Sequence, residues 1–147
     1  AVRPPGHPEH AAPPARRQAG QHQQQADAEV QRLEALHREL AAILEPCRGR
    51  DLMVAHPAFG HLAAAYGLNQ VAVEQGGHAP TPRQLGELMQ RPMQTLFVQP
   101  QFSQAMLAPL LRGGQVTAVE LDPLARDYHA NMRAMARAIA QALCPAP

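Results

Sequence analysis

The sequence predicts an α/β lobe: a four-stranded parallel sheet flanked by helices and preceded by one long helix. Three observations carry this reading. From Asp51 onward, short apolar runs alternate with short helical patterns, as βαβ units require. Before Asp51, Val30, Leu33, Leu36, Leu40 and Ile43 recur at spacings of 3, 3, 4 and 3, which makes one apolar stripe on a helix. The length, 147 residues, is one domain's worth and enough for a single sizeable core.

Taken in order, residues 1–25 hold Pro4-Pro5, Pro13-Pro14, Arg16-Arg17 and a Gln/His run ending at Gln25. They lack apolar periodicity, so a solvated, disordered tail is expected, with His7, His10 and His22 belonging to it. Residues 26–46 read as the long helix, capped by Asp27 and stopped by Pro46, with Glu29, Arg32 and Glu39 on its solvent face. Residues 47–147 form the lobe. Strands are expected at 52–55, 70–74, 95–99 and 116–121, with short helices at 61–66, 82–89 and 104–111. Thr81-Pro82 supplies a helix cap followed by proline at the first helical position. Ser103 caps the next helix, Pro109 should kink or shorten it, and Gly113-Gly114 ends it. In the closing helix Tyr128, Met132, Met135, Ile139 and Leu143 share a face, and methionines at that spacing are core packing.

Composition excludes several function classes. The 13 basic residues, all arginine, nearly balance 12 acidic ones, and a net charge of +1 gives no steering toward nucleic acid. No apolar run approaches the ~20 residues of a membrane span. A secretory signal is absent from this chain, which reads as a mature form or a fragment. An enzyme is not expected: GxSxG, the P-loop and reactive CxxC are all missing, and Gly113-Gly114 precedes a strand instead of opening a helix.

The chemistry concentrates where strands end. The run Asp51-Leu-Met-Val-Ala-His-Pro-Ala-Phe-Gly60 is a buried strand that stops at His56-Pro57. In open α/β sheets, ligands sit at the carboxyl ends of strands. The last strand delivers Asp122-Pro123 to the same edge. A neutral imidazole and a carboxylate so placed meet the demands of a zinc site. An Asp before Pro also makes a good turn with no metal, and a single histidine is most often a satisfied structural residue.

Five motifs in series resemble the carboxy-terminal lobe of the zinc-binding proteins of ABC transporters, the cluster A-I, ZnuA/TroA-like solute-binding family. They are His-Pro-Ala-Phe-Gly at 56–60, Tyr-Gly-Leu at 66–68, Pro-Thr-Pro-Arg-Gln-Leu at 80–85, Phe-Val-Gln-Pro-Gln-Phe-Ser at 97–103 and Leu-Asp-Pro-Leu-Ala at 121–125. The resemblance covers residues 26–144. It implies a single Rossmann-like lobe and makes the long helix the backbone that joins two lobes. It assigns His56 and Asp122 to the carboxy-lobe metal ligands, and a histidine at the first position resembles the zinc branch, where manganese and iron relatives place Glu. His61 stands where relatives often have Tyr or Phe and is the candidate third nitrogen, against the plainer reading of a surface histidine at a helix start. Gln99, and His78-Ala-Pro-Thr-Pro, replace more acidic family residues and lower the negative potential that attracts a cation.

The implied function is the zinc-binding component of an ABC metal-uptake transporter, periplasmic or extracytoplasmic, working with a membrane permease. The implied cargo is Zn²⁺ or another divalent transition metal. Two further ligands would come from an amino-terminal lobe, so this chain is expected to be a truncated carboxy lobe carrying half of the site. A homodimer through the exposed cleft face would bring two copies of His56 and Asp122 together. The alternative is a non-metal interaction module or a non-functional remnant of such a protein. The closing helix should bring Cys144 to the pole that holds Cys47, away from the metal site, and zinc relatives often carry a bridge involving that helix. A disulfide and two free thiols both stay open.

Overall fold

The computed structural model describes residues 1–2, 14–92, 94–102 and 104–146, without the side chains of Pro14 and Gln104. The chain divides into two compact units, Ala1–Ala35 and Leu36–Pro147.

The long helix α1 spans Pro14–Leu44. It starts well before the expected cap, and Asp27 lies inside it, where its carboxylate accepts a hydrogen bond from Gln23 Nε2 at 3.0 Å. Residues 14–25, expected within the solvated tail, are therefore helical. Ala, Gln and Arg are strong helix formers, and proline suits a first helical turn, so propensity sustains a helix that has no apolar stripe there. His7 and His10 lie outside the described residues, and His22 is exposed on α1. In the first unit Val30 and Leu33, the first two residues of the apolar stripe, are exposed.

The second unit is an α/β lobe. Strands β1 (Asp51–Val54), β2 (Asn69–Ala72), β3 (Thr95–Val98) and β4 (Thr117–Glu120) form one parallel sheet in the order β2-β1-β3-β4. Helices α2 (Gly60–Tyr66), α3 (Pro82–Met89), α4 (Ala108–Leu111) and α5 (Tyr128–Leu143) connect and flank the strands. The central strands are buried on both sides, which is why they read as continuous apolar runs. Alternation along β1 and β3 feeds two cores. Leu52, Val54 and Phe97 meet Leu36, Leu40 and Leu44 of α1, together with residues of α2 and α5. Met53, Leu96 and Val98 meet Leu88 of α3, Leu110 of α4 and Leu107 in the turn just before it.

The element ends follow local chemistry. Thr81 and Gln84 form a reciprocal capping box at the start of α3. Pro109 shortens the expected 104–111 helix: residues Gln104–Leu107 form a 3-10 turn, and a four-residue α4 follows with proline in its first turn. The cap expected at Ser103 lies outside the described residues. Gly113 and Gly114 adopt φ of 93° and 72°, which turns the chain toward β4. Asp127 caps α5 by accepting from the Ala130 amide at 3.1 Å. Gly67 ends α2 in the left-handed region, where a Cβ would stand 2.9 Å from Arg48 side-chain atoms.

Glu39, expected on the solvent face of α1, is instead paired across to another helix. Glu39 accepts from Arg133 Nε of α5 at 2.7 Å and lies 3.7 Å from Arg137. His37 Nδ1 is 2.9 Å from the Tyr66 hydroxyl. Helix-surface residues become partners here because α1 and α5 cover the same sheet face. Cys47 and Cys144 are joined in a disulfide, with Cα atoms 5.5 Å apart, and Cys47 is fully buried.

Candidate metal centre

Strand order decides which residues share the functional edge. Chain connections leave β1 toward β2 on one side, while β3 takes up its other side, so the order reverses between β1 and β3. In open α/β sheets such a switch point is where a ligand crevice forms, beyond the strand carboxyl ends. Reading across the edge, the residues just past the strands are Glu74 after β2, His56 after β1, Gln99 after β3 and Asp122 after β4. His56 and Asp122 thus share one edge, two strand intervals apart, or roughly 10 Å at the backbone. An imidazole and a carboxylate converging on one ion, with metal bonds of ~2 Å, span about that distance.

The His56 turn is held at several points. Ala55 donates its amide to Phe97 O at 2.9 Å, which carries the β1–β3 pairing past the end of β1. Ala58 N–H closes a tight turn onto His56 O at 2.8 Å, with Pro57 fixing φ between them. Phe59 N–H donates to Gln70 Oε1 of β2 at 2.7 Å, and its ring is buried. The imidazole is 44% exposed, and its Nδ1 lies 2.9 Å from Oε2 of Glu74, a carboxylate only 13% exposed. Glu74 escaped sequence reasoning. The signal that finds it is register: Leu52 pairs with Gln70 and Val54 with Ala72, and the same offset carried onward sets His56 opposite Glu74.

Asp122 makes the turn that its proline neighbour suggests, and keeps one oxygen available. Its Oδ1 accepts from Leu124 N–H at 2.9 Å, while Asn131 Nδ2 of α5 donates to its backbone carbonyl at 2.7 Å. His61 is placed differently. It is exposed on the first turn of α2 and lines a groove of about 430 Å³ with Phe59, Tyr66, Pro123, Tyr128 and Met132. The groove is mostly apolar and includes neither His56 nor Asp122. Among the described residues no group of three or more His, Cys, Asp or Glu side chains is set to hold a metal ion. Beside the groove, burial, and then the neighbouring Tyr128, push the Tyr66 hydroxyl above the usual phenol range.

The chain is similar in fold to solved zinc-protein structures. It matches a crystal structure of ZnuA with a TM-score of 0.73 and 32% identity, covering 79% of this chain and 47% of that one. A zinc-bound ZnuA deletion mutant matches at TM-score 0.73 and 31% identity, over 82% of this chain and 48% of the other. The laminin-binding protein Lmb of Streptococcus agalactiae, at 23% identity and TM-score 0.71, shares the fold over 82% of this chain and 51% of its own. A candidate metal-binding protein of Chlamydia muridarum is 27% identical over 113 residues, 74% of this chain and 41% of the relative. The chain therefore spans about half the length of the relatives it matches. Among the described residues, no helix is long and apolar enough to cross a membrane. The profile of the family described as zinc-uptake complex component A, periplasmic, matches residues 12–142, and with that match over most of its length the chain belongs to the ZnuA family.

Proposed function

We propose that this chain supplies the carboxy-terminal half of a zinc-binding component of an ABC metal-uptake transporter, with His56 and Asp122 as its share of the metal donors. The observation that carries the reading is the placement of these two residues on one carboxyl edge beside the switch point, in a chain of the ZnuA family. A half-exposed imidazole and a carboxylate with one oxygen uncommitted suit a borderline-soft, tetrahedral ion. The remaining donors would come from a second lobe: zinc wants about four ligands, and the matched structures are about twice as long as this chain. The metal is cargo, held between lobes and passed to a membrane permease, and nothing is catalysed. The Cys47–Cys144 disulfide fits an oxidising, extracytoplasmic compartment.

The test is zinc titration by calorimetry on the 147-residue chain beside His56→Ala, with molecular mass measured in parallel. Half a site should bind weakly, near millimolar, about −4 kcal/mol, and the variant should lose even that. Tight, His56-dependent binding by a dimer would mean that two copies complete the site. Binding unaffected by His56→Ala would sink the metal reading and leave an interaction module.

A further inference from the structure

We propose that Glu74 is a positioning residue for His56: its carboxylate holds the imidazole in the tautomer protonated at Nδ1, so that Nε2 presents its lone pair to a divalent cation in the crevice. The consequence for metal rests on reading His56 as a ligand; the tautomer itself does not.

The geometry is that of one directed hydrogen bond. Nδ1 and Oε2 are 2.9 Å apart, within the range of a charge-assisted N–H···O contact. An ionised carboxylate only accepts, so the ring nitrogen that faces it must carry the proton. A neutral imidazole has one N–H, which leaves Nε2 as the free donor atom. Among the described residues the Glu74 carboxylate makes no other hydrogen bond, and His56 Nδ1 has no competing partner.

The backbone makes the pairing rigid. Val73 N–H donates to Val54 O at 2.9 Å and Glu74 N–H to Ala55 O at 3.0 Å, so the parallel pairing of β1 and β2 continues past both strands. Each partner therefore leaves a fixed backbone position one step beyond a buried residue, Val73 or Ala55. The exposure gradient runs the right way. At 13% against 44%, the pair is anchored at its carboxylate and open at its imidazole. A carboxylate behind the ring also removes the entropy of choosing a ring orientation. Outer partners of this kind are typically worth 10–100-fold in metal affinity.

The experiment is long-range proton–nitrogen correlation on the ¹⁵N-labelled, metal-free chain at about pH 9, above the ~6.5 of ordinary imidazole. His56 signals are assigned by their loss in His56→Ala. The expected result is a protonated Nδ1 and an unprotonated Nε2. In Glu74→Leu the ring should revert to the Nε2–H form that water favours, and His56-dependent zinc affinity should fall 10–100-fold. Glu74→Gln keeps an accepting carbonyl, so it should retain the Nδ1–H tautomer and lose less affinity. A wild-type His56 protonated at Nε2 overturns the proposal whether or not the variants fold. So does a tautomer unchanged in a folded Glu74→Leu chain. An Nδ1–H ring in a chain that ignores zinc upholds the role of Glu74 in holding the ring and removes the metal reading instead.

Discussion

At the scale of single residues, the His37–Tyr66 contact and the Asp122 turn can each be probed directly. Tyr66, whose hydroxyl lies 2.9 Å from His37 Nδ1, is buried; burial, and then the neighbouring Tyr128, disfavour its ionisation, so its folded-state pKa stands above the ordinary value of 10.0. The sign follows from linkage. The folded state holds the proton more tightly, so the contribution is fully present below about pH 10 and is lost as pH rises through the folded value. The sequence makes this readable, because it has no lysine, both cysteines are bridged, and only two tyrosines exist. Phenolate absorbance should therefore show a Tyr66 step above pH 10, with a fall in stability over that step that Tyr66→Phe removes. Asp122 allows its two roles to be separated. Asp122→Asn keeps an oxygen for the Leu124 amide, so urea unfolding should shift by no more than about 0.5 kcal/mol. Zinc affinity should nonetheless drop, because the anionic donor is gone. Asp122→Ala should lower both.

At the scale of elements, α1 divides into a buried and an exposed stretch of one apolar stripe. Leu40 is 2% exposed and packs with Leu52, Val54 and Phe97, whereas Val30 and Leu33 are 52% and 40% exposed. Leu40→Ala should cost about 2–5 kcal/mol in urea unfolding. Val30→Ala and Leu33→Ala should stay within about 0.5 kcal/mol in this chain. The same helix shows what the sequence makes legible. Periodicity located the buried stripe from Leu36 onward and the sheet strands β1 and β3, because burial writes itself into spacing. It missed the start of α1, since residues 14–25 are helical by propensity and bury nothing that would leave a pattern. The positions of His56 and Asp122 at strand ends were legible from the prolines that follow them. Glu74 was not, because its partner lies 18 residues away and is set by strand register, which no local window contains. Glu39 was read as solvent-facing for the same reason: its arginine partners sit on α5, at the other end of the chain.

At the scale of the whole lobe, the disulfide has the longest reach. Cys47 precedes β1 and Cys144 ends α5, so the bridge closes a segment of 97 residues that contains all four strands. Chain-entropy arguments for a loop of that length give about 4–5 kcal/mol, acting chiefly on the unfolded state. Cys47→Ala/Cys144→Ala should therefore lose about that much in urea, and its melting temperature should fall by roughly 10–20 °C. The same loss should appear in the wild-type chain under reductant and not be additive with the double variant. Because the bridge lies at the amino pole of the strands and the His56 turn at the carboxyl pole, the folded variant should keep the His56 ring tautomer and its zinc response. A loss below about 1 kcal/mol would mean that the reduced chain retains structure when unfolded, or that the two cores fix the closing helix without help. A full loss of stability with an unchanged His56 signal would instead separate the two poles of the lobe: one secures the fold, and the other presents the donors.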